Sequence, residues 1–215
     1  MDTTYFGRKW GVMVLYDAIS KRALSVFEVK NETIECYRQE VAALQEKGVL
    51  IQSIICDGKS GLLDLFLDIP VQMCQFHQVK IIVRHLIRKP KSPAAQALRA
   101  LSLTLMEEST QAAFEAALKR WYEQYAVFLN ERSVNEKTGH SHYTHKRLRA
   151  TYNSLKRHLP WLFTCECFPN LGIPNTTNLL EGKFSGMKQL LRCHRGLKKG
   201  SKLRFIKDYF AKNSS

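Results

Sequence analysis

Trp10–Lys30 reads WGVMVLYDAISKRALSVFEVK. Two runs rich in Val, aromatic and aliphatic residues, Trp10–Ala18 and Ala23–Lys30, flank the more polar Ile19–Arg22, a pattern that predicts a β-hairpin. The next stretch, Asn31–Val49, carries Ile34, Tyr37, Val41 and Leu44 at helical spacing. Asn31 or Thr33 can cap this helix and Gly48 ends it. Leu50–Gly58 (LIQSIICDG) is an apolar run of strand length with Asp57 at its carboxyl end. Gly58–Ile69 then predicts a short helix and Pro70–His77 (PVQMCQFH) a further strand. Hairpin, helix, strand, helix, strand is the order of an α/β domain built on a mixed sheet.

From Lys80 the texture changes. Val79–Lys89 has helical periodicity, and Ser92 with Pro93 opens a second helix as cap and first-turn proline. A third helix over Thr110–Arg132 lines up Phe114, Leu118, Trp121, Tyr125 and Phe128, a packing stripe rather than a ligand box. A polar loop over Ser133–Arg147 leads to a fourth helix ending near Leu159. No strand is apparent between 81 and 164. The chain therefore divides into a first core part (1–80), an all-α insertion (81–164) and a last core part (165–215).

The 215 residues carry a net charge of +14. That length suffices for one sizeable core plus an elaboration. The positive charge is clustered: six basic residues and no acid lie between Asp68 and Glu107, and six more without an acid between Glu136 and Glu166. Blocks of this kind point to a polyanionic partner, most simply nucleic acid, and otherwise to a solvated surface. Met1 is followed at once by an acid, unlike a secretory signal, and no apolar run approaches a membrane span. Scattered cysteines, three of them in apolar stretches, fit a cytoplasmic protein with free thiols, nucleoid-associated in a prokaryotic host.

Within Ile173–Lys188 (IPNTTNLLEGKFSGMK), Glu181 stands against this charge. From Glu181 to Ser215 there are ten Lys or Arg, and the only other acid is Asp208. On a helical wheel Leu180, Phe184, Met187 and Leu191 span a sector of about 60°, the core face, while Lys188 and Arg192 lie within about 20° of Glu181. Asn175–Asn178 supply caps, so the helix starts just before Glu181. A glutamate there is favoured by the helix dipole alone. Asp57 at a strand end and Asp2 ahead of the hairpin give a second reading. Three carboxylates on separate elements can hold two divalent cations about 3.5–4 Å apart, clamping both oxygens of a phosphodiester. Such hard ligands suit Mg²⁺ or Mn²⁺.

At these residues the sequence resembles the DDE transposases of the Mutator-like insertion-sequence superfamily. Asp2 lies in DTTYFG and Asp57 in CDGKSGL, Cys74 and His77 are similar to a Cys-x-x-His motif in MCQFHQ, and Glu181 lies in NTTNLLEGKFSGMK, followed by LRCHRGL. The resemblance covers nearly the whole chain. It implies a ribonuclease H-like mixed-sheet core interrupted by an all-α insertion. It also implies metal-dependent strand cleavage and strand transfer during transposition, with Asp2, Asp57 and Glu181 as ligands of two Mg²⁺ or Mn²⁺ ions. Lys188, Arg192, His194, Arg195, Lys198 and Lys199 are the expected DNA contacts. Cys74, His77 and Asn178 are expected to shape the site. The partners implied are transposon ends, target DNA and a homo-oligomer on DNA. Zinc is not expected: Cys74 and His77 are half a site, and His140, His142 and His145 with Cys165 and Cys167 match no standard spacing.

The chain starts at its first acidic motif. In the family Asp2 would end a central strand, which is expected to be nearly absent here along with an amino-terminal DNA-binding region. Poor transposition and aggregation through unpaired strand edges are the expected consequences. Two other readings are a non-catalytic DNA-binding remnant or inhibitor and another nuclease of the same fold, such as a junction resolvase.

Overall fold

The computed structural model describes residues 1–7, 10–107, 109–194 and 196–212. The expected hairpin is β2 (Gly11–Asp17) and β3 (Arg22–Val29), with Val14 opposite Val26. Asp17 closes its turn by accepting the N–H groups of Ile19 at 3.0 Å and Ser20 at 3.2 Å. The sequence reading had no strand ahead of the hairpin, yet β1 (Asp2–Tyr5) pairs antiparallel with β2, Asp2 opposite Val14. Asp2 thus begins a strand rather than ending one.

α1 (Ile34–Glu46) is capped by Thr33, whose Oγ1 accepts from Cys36 N. It ends as the apolar spacing predicts: Val49 N donates to Leu44 O and Gly48 N to Gln45 O, with Gly48 at φ 82°. These paired bonds satisfy its last carbonyls. β4 (Ile54–Cys56) and β5 (Val71–Met73) form a separate parallel pair. The backbone nitrogen of Met1 donates to Ile55 O at 2.8 Å, which sets β1 beside β4. The helix predicted over 58–69 is instead a chain of turns that buries Leu62 and Leu63. Gly58 and Gly61, at φ 78° and 79°, break the helical path.

α2 (Gln75–Leu86) starts earlier than predicted, so Gln75–His77 are helical and α2 crosses the 80/81 boundary. α3 (Pro93–Leu103) and α4 (Gln111–Asn130) start where Ser92 and Thr110 accept the third-residue N–H. A small hairpin, β6 (Arg132–Val134) and β7 (Ser141–Tyr143), replaces the expected polar loop. Its strands have no buried residue and are mostly polar, with Arg132 and Arg149 over the Tyr143 ring, so no apolar alternation announces it. α5 (Lys146–Leu162) runs past Leu159, with Pro160 inside its last turn. α6 (Thr164–Cys167), α7 (Asn178–Cys193) and α8 (Lys199–Lys212) complete the chain.

β2 is apolar on both faces because both are covered. Val12 and Val14 pack with Leu180, Phe184, Met187 and Leu191 of α7 and with Ile206 and Phe210 of α8. Met13 and Leu15 belong to the opposite core with Tyr37 and Val41 of α1. That second core continues through Met73 and Ile82 to Leu98, Phe114 and Leu155, so the helical block shares it with the strands. Each such buried side chain contributes about 1.5–3 kcal/mol. Several polar groups inside are paired across long stretches of chain. Gln72 donates to Leu162 O at 2.8 Å and accepts from Cys165 N at 2.9 Å, and Trp121 Nε1 donates to Ala94 O at 2.9 Å. The architecture is mixed α/β with small sheets. No helix among the described residues is long and apolar enough to cross a membrane. All six cysteines are free thiols.

Candidate metal centre

Three elements converge on one corner. Asp2 opens β1, His77 lies in the first turn of α2 and Glu181 in the first turn of α7. One ligand atom from each lies within 4.8 Å of the others. Gln75 N donates to Asn175 O at 2.9 Å, which ties the start of α2 to the segment leading into α7. The wheel reading of α7 holds: Leu180, Phe184, Met187 and Leu191 are its buried residues. They fix the rotation that turns Glu181 toward His77.

The carboxylate of Glu181 meets one lysine and one imidazole. Lys80 Nζ binds Oε2 at 2.8 Å and His77 Nε2 lies 3.3 Å from Oε1. Oε1 is buried and has no hydrogen-bond partner, so the imidazole is near enough to pair but not aligned to donate. Asp2 accepts the Thr3 N–H at 2.7 Å through Oδ1. Burial raises the Asp2 pKa above its ordinary value, the His77 charge and the Thr3 N–H oppose this, and the nearby Asp57 charge adds to the rise.

Cys74 and Thr177 form the layer behind His77. Thr177 N and Oγ1 both donate to Cys74 Sγ, at 3.2 and 3.3 Å. Thr177 is the N-cap of α7, but its hydroxyl serves Cys74 instead of capping the helix. Burial alone would push the Cys74 thiol up, yet hydrogen bonds from His77 and Thr177 hold it below the usual thiol range. Burial would likewise depress His77, but the Cys74 hydrogen bond and charge, with the Asp2 and Glu181 carboxylates, raise it above the ordinary histidine value.

Asp57 does not join the three-residue group. Its Oδ1 accepts the Lys59 N–H at 3.0 Å in the turn after β4, and it acts on Asp2 through charge. Asn178 is the exposed first residue of α7. Lys188 sits 5.9 Å from the Phe6 ring centroid, and Lys199 pairs with Glu28 and lies over Trp10. Arg192, His194 and Lys198 are exposed, and Arg195 lies outside the described residues. His145 pairs with Glu131 at 2.9 Å and stacks on Phe128, and among the described residues no metal-binding group includes it, His140, His142, Cys165 or Cys167. Sequence reasoning missed Lys80. Its signal was the spacing of three from His77, visible once α2 is started at Gln75.

Comparisons with protein-family models, with characterised proteins and with solved structures gave no match.

Proposed function

We propose that this chain is the catalytic region of a DDE transposase of the Mutator-like type, built on a ribonuclease H-like core and cutting and joining DNA with divalent metal. One observation carries the reading. Asp2 and Glu181, near opposite ends of the sequence, meet at one half-buried corner together with His77. The strand layout supports it, with the antiparallel β1–β3 sheet set beside the parallel β4–β5 pair.

The residues present fit a divalent cation. Glu181 Oε1 is a buried acceptor without a hydrogen bond, which is the group a metal would satisfy. Asp2, Glu181 and the His77 imidazole would hold the ion, and a mixed oxygen and nitrogen set tolerates Mn²⁺ better than Mg²⁺. Asp57, close enough to influence Asp2, would supply the carboxylate for a second ion. An ion held there would supply positive charge at a scissile phosphate and lower the pKa of an attacking water or hydroxyl. Lys80 neutralises Glu181 in the absence of substrate and is placed to turn to a phosphate oxygen. The exposed cations Arg192 and Lys198 and the ring-facing Lys188 hold the DNA backbone.

The test is nicking of supercoiled and linear duplex DNA in Mn²⁺, Mg²⁺ or chelator. Metal-dependent nicking that disappears in Asp2→Asn and Glu181→Gln, with DNA binding retained, is the expected result. DNA binding with no metal-dependent nicking by the unsubstituted chain would overturn the catalytic reading in favour of a binding role.

A further inference from the structure

The two acid-free basic stretches of the sequence come together in the helical block. The turn from α2 to α3 and the amino terminus of α5 line one open cleft of about 430 Å³. Its walls include His85, Lys91, Lys146 and Arg147, and no acidic side chain lines it. Lys91, Lys146 and Arg147 are exposed, as are Arg84, Arg88 and Lys89 beside it. Among the described residues none of these six cations has an acidic partner. His145, on the cleft wall, engages Glu131.

Three further observations bear on what the cleft takes. His145, the N-cap of α5, makes no side-chain capping bond, so no side chain caps the first N–H groups of that helix. Ile87, on the rim, holds φ 60° and ψ 169°. A β-branched residue in that region is strained, and such strain collects at binding sites. His77, Lys80 and Arg84 fall within about 60° of one another around α2. From His77 to Leu86 the helix rises about 14 Å, or about four base pairs of duplex. Lys80 and Arg84 therefore extend positive charge from the carboxylate corner toward the cleft.

We infer that this cleft is a second binding site for the phosphodiester backbone of duplex DNA, holding the strand a few base pairs from the carboxylate corner. The inference rests on the proposed function only for its choice of DNA. Lys91, Lys146 and Arg147 contact phosphates as point charges, so the binding is insensitive to base sequence and strongly dependent on salt.

The test is fluorescence anisotropy with a labelled 25-base-pair duplex in chelator, over a range of salt. The triple variant Lys91→Ala, Lys146→Ala, Arg147→Ala should bind about tenfold more weakly or worse at low salt. Its log–log salt slope should be shallower by about 2.7, three lost contacts at about 0.9 each. A matched variant elsewhere, Lys21→Ala, Lys30→Ala, Lys47→Ala, should bind like the original protein. Charge-preserving Lys91→Arg with Lys146→Arg should also bind normally, which guards against a folding defect. Equal losses in the cleft and matched variants would overturn the inference, as would an unchanged slope in the cleft variant. Tighter binding of duplex RNA through the same residues would overturn the choice of DNA. The outcomes for the two sites separate: a protein that nicks DNA but ignores the cleft substitutions refutes the cleft alone. One that loses binding on those substitutions but never nicks refutes the carboxylate reading alone.

Discussion

Gly58→Ala probes how the turn after β4 presents Asp57. Gly58 has φ 78°, and a Cβ built there would lie 2.3 Å from Met73 Cε, 2.8 Å from Sδ and 3.2 Å from Cγ. Met73 is fully buried in β5, so its side chain has little room to retreat. The left-handed backbone costs a residue with a Cβ about 1–2 kcal/mol. Overpacking a filled core adds about 1–3 kcal/mol, for a total of about 2–5 kcal/mol. Urea unfolding should then show the midpoint lower by about 1–2.5 M, taking a slope of about 2 kcal/mol/M. In a Met73→Ala background the same change should cost about 1–3 kcal/mol less, because the methyl no longer meets sulfur. Nicking should fall as well, since the Asp57–Lys59 turn is displaced. A midpoint within about 0.3 M of the original at unchanged slope would refute the clash and with it the placement of Asp57.

Other substitutions test neighbouring parts of the account. The His77 pKa, followed by NMR, should lie above 6.5 and drop in Cys74→Ser, where burial is opposed by less charge and a weaker hydrogen bond. The stabilisation from protonated His77 is complete below about pH 6.5 and is lost as pH rises through the raised folded value. Cys74→Ser should therefore flatten the fall in thermal stability over that window, and an unchanged pH profile would contradict the coupling. Lys80→Ala removes a cation 2.8 Å from Glu181. Lys80 is half exposed, so stability should change by only about 0.5 kcal/mol, while Mn²⁺ titration should show tighter binding; weaker binding would show that Lys80 helps build the site. Gln72→Leu leaves Cys165 N without its acceptor, whereas Leu162 O keeps Gln75 at 2.9 Å. Chemical denaturation should show a loss of about 1–3 kcal/mol for the one stranded donor.

Much of this arrangement was written in local patterns. The buried face of α7 followed from the spacing of Leu180, Phe184, Met187 and Leu191, which also placed Glu181 off the core. Thr33, Ser92 and Gly48 mark helix ends because capping is a nearest-neighbour interaction. β1 was less visible: four residues with one buried side chain carry little alternation, and their order comes from pairing with β2. A strand reaching His77 is the natural reading of Val71–Cys74, which is apolar at every position but Gln72, and such a run cannot by itself show where strand gives way to helix. That misplacement hid Lys80. The buried glutamines 72 and 75 were not legible at all, since their partner Leu162 is about ninety residues away. The place of Asp57 at a strand end suggests a ligand, but the turn at Gly58 directs its carboxylate to Lys59 N, a geometry set by φ rather than by residue type.

The central claim is that Asp2, His77 and Glu181 hold a divalent ion, and Mn²⁺ binding followed by electron paramagnetic resonance tests it without relying on turnover. The original protein should bind Mn²⁺ and be competed by Mg²⁺. Asp2→Asn and Glu181→Gln should each weaken binding about tenfold or more, while a neutralisation away from the corner, Asp64→Asn, should leave it unchanged. Mn²⁺ binding that is the same in all four proteins would contradict the account.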